Sequence, residues 1–357
     1  MAIVFDSDAG TITGLSVGGL PDGTVDAGTL ATDSVTAAKI ATDSVTAAKI
    51  AANSVDSAEL VDGAVDDSHM ASISGRKNIF INGAFDVSQR GYSSATAVSN
   101  DDYTLDRWKM RIDGASATVQ QTAVTPWTGK TTNAIKVVAT STANGYHNIR
   151  QIVEDYKIVS GQTVTLSAWV RGSGNPLFFR HWGVTNIGSG KALTSSWQKY
   201  TETYNVPALS NTTDGNSGSF TMALGNYNGN VSITSGDYYE VALFQVELGS
   251  VATDFEQRSY GEELALCQRY YEIASGGSYG AFPTTSNYRV SVPYKVTKRA
   301  SPTIAVLASS ENCCSSVTAM GGHEDATAGG RVQGTNVFVT SSASKYFYAK
   351  FSAESEL

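Results

Sequence analysis

The chain has 357 residues and a formal charge of −8, with Gly, Ser, Thr, Asn and Tyr plentiful and Pro scarce. That mixture favours strands joined by many turns, and the lack of any basic tract argues against a nucleic-acid surface. No run of eighteen apolar residues occurs, and the start Met1–Phe5 followed by Asp6 lacks a basic, signal-like opening, so the chain reads as soluble and made in the cytoplasm.

Residues 1–20 carry Ile3, Val4, Phe5, Ile12, Leu15 and Val17 between glycines. This is too little to hold a core and reads as a docking segment. From Pro21 to Met70 five ten-residue units follow without a gap: PDGTVDAGTL, ATDSVTAAKI, ATDSVTAAKI, AANSVDSAEL and VDGAVDDSHM. Val stands fifth (Val25, Val35, Val45, Val55, Val65), and an aliphatic residue or Met stands tenth (Leu30, Ile40, Ile50, Leu60, Met70). A spacing of five suits neither a continuous helix nor a continuous strand. The pattern predicts an extended step through the Val, then one helical turn opened by Thr36, Thr46, Asp56 or Asp66. Two anchors per unit contribute roughly 3–6 kcal/mol, against roughly 10–20 kcal/mol to order ten residues. A single chain cannot sustain such a stalk, whereas several wound together can; a flexible linker is the alternative. Fifty residues reach at most about 165 Å extended and about 75 Å if helical.

Near Ser72–Lys77 the composition shifts. Short segments at Ala134–Ala139, Thr163–Arg171, Gln198–Val206, Ser219–Leu224 and Tyr238–Val246 predict an antiparallel β-sandwich over residues 76–256. In TVTLSAWVRG, Val164, Leu166, Ala168 and Val170 share one face, opposite Thr163, Thr165, Ser167, Trp169 and Arg171. The only helical pattern, Ser259–Tyr271, places Leu264, Cys267 and Tyr271 together, with Cys267 as a small buried group. Residues 257–357 read as a β-rich tip, with strands at Asn287–Val296, Thr303–Ala308, Arg331–Thr340 and Lys345–Ser352. A long Gly/Ser loop, SSENCCSSVTAMGGHEDATAGG, lies between them. The adjacent Cys313 and Cys314 strain any bridge and read as free thiols.

Catalytic chemistry is poorly represented. The four histidines lack metal-site spacing, and the carboxylate pairs Glu247 with Asp254 and Asp237 with Glu240 read as solvated, or as metal ligands at a sandwich edge, rather than hydrolytic. Aromatic residues are the better lead. Sugars stack an apolar C–H face on Trp and hydrogen-bond through their edges. Trp169 with Arg171, and Trp182 with Arg180 and His181, are the candidate carbohydrate-binding residues.

The xxDSVTAAKI units resemble the repeats of bacteriophage tail fibres and tail spikes, which implies an intertwined trimer. NIFINGAFDVSQRG, QIVEDYKIVSGQTVTLSAWVRG, SSWQKYTETYNVP and YYEVALFQVELGSVATDFEQRS, in that order, resemble a jelly roll of the carbohydrate-binding-module 4/9 type carried by such fibres. ELALCQRYYE with VPYKVTKRASPTI resembles the small β-domain that follows it. The resemblance implies a calcium ion tying first strand to last through Asp86 and Glu240, although Val87 and Val241 stand where the family has further acidic residues. The resulting expectation is a mainly β homotrimer: a virion-attachment segment (1–20) for a tail or baseplate protein, a stalk (21–75), a jelly-roll sandwich (76–256) and a tip with one short helix (257–357). Its role would be host adsorption through a surface polysaccharide, as part of the virion tail and without enzymatic activity. The alternatives are a purely structural tail or decoration protein and a glycan-degrading tail enzyme.

Overall fold

A computed structural model describes residues 4–6, 8, 11–13, 35–42, 44–46, 49–50, 77–127, 130–212, 218–226, 231–279, 287–311, 314–324, 332–341 and 346–356. The chain divides into two units, 1–66 and 67–357. In the first, β1 (Val4–Asp6) and β2 (Thr11–Thr13) pair antiparallel, with Val4 opposite Thr13. In the repeats a 3-10 turn spans Ala37–Lys39. The Lys39 and Lys49 amides donate to the Thr36 and Thr46 carbonyls at 2.9 Å each, so a helical turn opens at the predicted Thr in both identical units. Val35, Ile40, Val45 and Ile50 are 53, 44, 56 and 45 % exposed, so one chain leaves these anchors uncovered. The anchors Val25, Leu30, Val55, Leu60, Val65 and Met70 lie outside the described residues.

In the second unit twelve strands form a two-layer sandwich. They are β3 (Thr96–Val98), β4 (Lys109–Asp113), β5 (Ala117–Trp127), β6 (Lys130–Ala139), β7 (Ala143–Ile152), β8 (Thr163–Ser173), β9 (Leu177–His181), β10 (Thr185–Lys191), β11 (Gln198–Asn205), β12 (Thr221–Gly225), β13 (Val231–Ile233) and β14 (Tyr238–Leu248). The first sheet has the order β11-β8-β14-β6-β5-β3, and the second β10-β9-β12-β7, with β13 and β4 each also paired to β7. All pairings are antiparallel. Period-2 alternation directs one row of each strand inward: Val164, Leu166, Ala168 and Val170 of β8 are buried as predicted, against Met110, Ile149, Phe179, Met222 and Leu224 of the second sheet. Trp108 sits in this core, its ring 5.2, 5.0 and 5.4 Å from those of Phe80, Phe85 and Phe244.

The NIFINGAFDVSQRG segment forms a knot under this cluster. Asn82 adopts a positive φ of 58°, which short polar side chains tolerate best. Its amide donates to the Val87 and Asp106 carbonyls at 2.8 and 2.9 Å and accepts from the Val87 N–H at 2.9 Å, while its carbonyl takes the Trp108 indole N–H at 2.8 Å. Gly83 is required there because a Cβ would stand 2.2 Å from the Phe244 carbonyl oxygen.

Helix α1 (Tyr260–Gln268) follows, its first turn capped by the Ser259 hydroxyl, which accepts from the Glu262 N–H at 3.3 Å. Cys267 is buried as predicted, and burial raises its thiol pKa well above the usual range. The face that packs inward is more polar than predicted. Leu264 is only half-buried, and Glu263 is buried instead, because its carboxylate accepts the Asn82 N–H and pairs with Arg258 at 3.3 Å. Two three-stranded antiparallel sheets complete the unit. The strands are β15 (Tyr271–Tyr279), β16 (Asn287–Pro293), β17 (Thr303–Glu311), β18 (Cys314–Glu324), β19 (Val332–Ser341) and β20 (Tyr346–Glu354), in orders β15-β20-β17 and β16-β19-β18. β17 covers the predicted strand Thr303–Ala308 and runs on to Glu311, and β18 occupies much of the segment predicted to be a Gly/Ser loop. Pairing with β20 and β19 satisfies their backbone groups, a stabilisation with no signature in side-chain hydrophobicity. Cys313 lies outside the described residues.

This C-terminal part is bolted to the sandwich by charge. Arg107, fully buried, pairs with Glu356, donates to the Ile152 carbonyl at 2.7 Å and stacks 3.6 Å from the Tyr270 ring centroid. Arg269 meets Glu154 at 2.8 Å, and the Tyr270 hydroxyl donates to the same carboxylate at 2.6 Å. Burial raises the Tyr270 pKa to about 12.

Candidate functional site

Strand β9 sorts its residues cleanly. Leu177, Phe179 and His181 are buried, while Phe178 and Arg180 alternate with them on the outer face of the second sheet. The Trp182 N–H donates to the Thr221 carbonyl at 2.8 Å, so the ladder carries one residue further and brings the half-buried Trp182 onto the outer face. Across the sheet Arg180 is in register with Ala223 of β12, Ala223 with Arg150 of β7, and Arg150 with Lys109 of β4. The next row, related by two residues along each strand, reads Phe178, Gly225, Asn148 and Arg111.

These rows assemble around one indole. The guanidinium carbons of Arg150, Arg180 and Arg111 lie 4.9, 5.5 and 5.8 Å from the Trp182 ring, and the Tyr146 ring lies 6.1 Å away, tilted. Arg180 donates to the Asn186 side chain at 2.6 Å. Asp101, at φ 69° on a loop tied to β4 by its N–H to the Met110 carbonyl, pairs with Arg150, with Arg111 at 2.9 Å and with Lys109 at 3.8 Å. Asn148 is fully buried in this face, and neither amide atom has a hydrogen-bond partner. Gly225 beside it admits no side chain: a Cβ would stand 2.2 Å from both Asn148 Oδ1 and the His147 carbonyl oxygen. An indole framed by guanidiniums and amides suits a pyranose, whose C–H face stacks on the ring while its hydroxyls meet the donors.

His181 does not join this surface. It points into the core, its ring nitrogens 2.6 Å from the Ser219 carbonyl and 2.8 Å from the Tyr204 hydroxyl, and burial lowers its pKa. Strand alternation puts it opposite Arg180 and Trp182, and the sequence reading that grouped all three is corrected accordingly.

Trp169 and Arg171 lie on the outer face of the first sheet, on the other side of the sandwich. Arg171 stacks on Trp197 at 4.9 Å and donates to Glu240 at 2.6 Å. Nearby a groove of about 360 Å³ is lined by Ser167, Trp169, Lys199, Leu243, Asp254, Phe255 and Gln257. The five predicted sugar-binding residues thus divide into two surfaces and one core position.

The predicted calcium pair is not brought together either. Glu240 is buried between Arg171 and Lys136, the latter at 3.6 Å. Asp86 accepts from the Asn133 amide at 2.8 Å and the Gln257 amide at 3.4 Å. Lys136 and Asn133 are three residues apart on β6, so the two carboxylates meet opposite faces of that strand. A carboxylate already neutralised by two cations, remote from the second one, does not fit an oxygen cage for a divalent ion. Among the described residues no group of three or more His, Cys, Asp or Glu side chains is placed to hold a metal.

Two of the other paired carboxylates are engaged locally. Glu247 accepts from the Thr253 N–H at 2.9 Å, the Thr253 hydroxyl at 2.6 Å and the Gln245 amide at 3.0 Å, and Asp237 accepts from the Thr234 N–H at 3.0 Å.

Sequence reasoning missed Arg111, Tyr146, Asn148, Arg150 and Gly225. In YHNIRQI the residues facing inward include His147 and Gln151, so hydrophobic alternation is blurred. The available signal was a run of polar groups with high strand content, legible only once the neighbouring strands are known.

No protein-family model and no curated protein matches the chain. Among solved structures it is similar to a family 11 carbohydrate-binding module of the cellulosomal cellulase Lic26A-Cel5E of Clostridium thermocellum, at 17 % identity over 45 % of this chain and 98 % of that one, TM-score 0.27. It is also similar to a CBM4 module, at 16 % identity over 47 % and 98 %, TM-score 0.29. A third, TmCBM61 in complex with β-1,4-galactotriose, gives 12 % identity over 49 % and 100 %, TM-score 0.28. Likenesses this distant carry no function across; what the second sheet can bind follows from its own side chains.

Proposed function

We propose that this protein binds glycan, without cleaving it, through the outer face of the second sheet. The observation that carries the reading is the partly exposed Trp182 ring set among the guanidiniums of Arg111, Arg150 and Arg180 and the ring of Tyr146. Sugar stacking needs an aromatic ring with hydrogen-bond donors close by, and the partly exposed Trp182 among its guanidiniums supports the reading. The engagement of Glu240, Glu247 and Asp237 in local contacts supports a binding rather than a hydrolytic role. The test is binding of the full chain and its Trp182→Ala variant to host envelope and to a glycan array. Retained binding in the variant overturns the reading.

The wider setting we propose is a bacteriophage tail fibre or related receptor-binding protein. Its support is in the sequence, namely the decapeptide units and the order of the motifs that follow them. In that setting residues 1–20 attach to a tail or baseplate protein, the repeats pair with two further copies, and three sandwiches present weak sites together on a host polysaccharide. The exposed Val35, Ile40, Val45 and Ile50 favour the homotrimer, because apolar anchors at a fixed spacing of five are what association would cover. Sedimentation of the full chain is expected to give a trimer, and a monomer overturns this part.

A further inference from the structure

We infer that the glycan bound at the Trp182 face is anionic, carrying a carboxylate or phosphate that docks against the guanidiniums of Arg111, Arg150 and Arg180 gathered around that ring. This rests on the glycan-binding reading above and names the ligand's chemical class. Three features converge on it. First, the guanidiniums of Arg150, Arg180 and Arg111 gather 4.9, 5.5 and 5.8 Å from the Trp182 ring, although Arg150 and Arg180, on either side of the buried Ala223, are carried two strands apart, roughly 10 Å at the backbone. Long side chains can converge across that distance on one oxyanion, and the planar guanidinium matches carboxylate and phosphate with paired N–H donors. Second, the charges are sorted. Arg150 and Arg180 occupy the centre of the face beside Trp182, whereas Asp101 and Asp113 are exposed at its rim. Arg150 is itself buried and pairs with the exposed Asp101, a partner that an incoming oxyanion can replace. Third, the amide of Asn148, fully buried and without a hydrogen-bond partner, sits one row along on the same face, next to Gly225. A buried polar group left unpaired is costly, and a sugar hydroxyl or the oxyanion itself would satisfy it.

The opposite face shows the contrast. There Arg171 and Lys136 both meet the buried Glu240, which stays with the protein and is not available for exchange.

The experiment measures affinity of the full chain for an immobilised panel: polygalacturonate, the same polymer after carboxyl reduction, a glycan phosphodiester polymer, and an array of acidic and neutral glycans. At least one anionic ligand is expected to bind tenfold or more tightly than its neutral counterpart, with affinity falling steeply as salt rises. Which polymer prevails separates carboxylate from phosphate. Arg111→Gln, at a third-exposed side chain, and Arg180→Gln are each expected to reduce that affinity three- to tenfold with an unchanged circular dichroism spectrum. Equal binding of anionic and neutral partners, lost in Trp182→Ala, overturns the anionic preference and leaves sugar binding standing. Absence of binding across the whole panel and array overturns both.

Discussion

The two outer faces of the sandwich begin from the same ingredients, a tryptophan two residues from an arginine on a strand, and end as different surfaces. On the first sheet Arg171 spends its charge on Glu240 and lies flat on Trp197, and the neighbouring groove is floored by Trp169, Leu243 and Phe255. On the second sheet Arg180 shares the Trp182 ring with two more arginines brought in by β4 and β7. A buried carboxylate closes one face, and an exposed one leaves the other exchangeable. A strand's own residues therefore say what can reach a surface, while the strands beside it decide what that surface can bind.

The sharpest way to break this contrast is to remove each indole in turn. Trp182→Ala is expected to weaken glycan binding by about 30-fold or more, the scale of a buried aromatic anchor worth about 2 kcal/mol, whereas Trp169→Ala should stay within about threefold. Equal losses, read by titration calorimetry, would mean that both faces bind. Next in size is backbone packing. Gly225→Val forces a side chain against Asn148 and the His147 carbonyl and should cost about 1–3 kcal/mol in urea unfolding, with binding lost as well. Gly172→Ala on the first sheet, where a Cβ would stand 2.2 Å from the Tyr238 carbonyl oxygen, should destabilise comparably and leave binding at the Trp182 face intact in the folded fraction.

The inner faces differ too, and pH reports it. The second sheet buries His147 and His181, and burial lowers the pKa of both, whereas the facing row Val164, Leu166, Ala168 and Val170 does not titrate. The unfolded chain then binds more protons than the folded one once pH drops below the ordinary histidine value of about 6.5. Stability should be full above that pH and fall on acidification by at most about 1.4 kcal/mol per pH unit per histidine until the folded-state pKa is reached. Thermal unfolding from pH 7.5 to 5 checks the sign; a midpoint that rises on acidification contradicts it. The smallest effect sharpens the binding contrast. Asp101→Asn removes an exposed competitor for the Arg150 and Arg111 charges, should change stability by less than about 1 kcal/mol, and should raise affinity for an anionic glycan about two- to threefold. A loss of affinity would show that Asp101 positions the arginines rather than competing with the ligand.

Much of the architecture was legible in the residues. The β8 alternation, the buried Cys267 and the helical turns opening at Thr36 and Thr46 follow from periodicity and local hydrogen bonding, which act over a few residues. The strand Cys314–Glu324, hidden in the Gly/Ser-rich stretch after Ser309, was not legible, because backbone pairing stabilises it without an apolar pattern. Nor was the anchoring of the C-terminal part, which depends on Arg107, Glu356, Glu154 and Arg269 meeting over long separations.

The sequence by itself determined a β-rich chain led by decapeptide repeats with apolar anchors at a fixed spacing, and it pointed to a handful of aromatic and basic side chains as candidates for binding. Only the tertiary structure decided which of these meet: alternation turned His181 inward, register set Arg150 and Arg180 on either side of Ala223, and Lys136 and Arg171 claimed Glu240. The physical reason is range. Propensity and period are fixed by neighbours along the chain, whereas a site is fixed by neighbours across a sheet, about 5 Å away in space and tens of residues away in sequence.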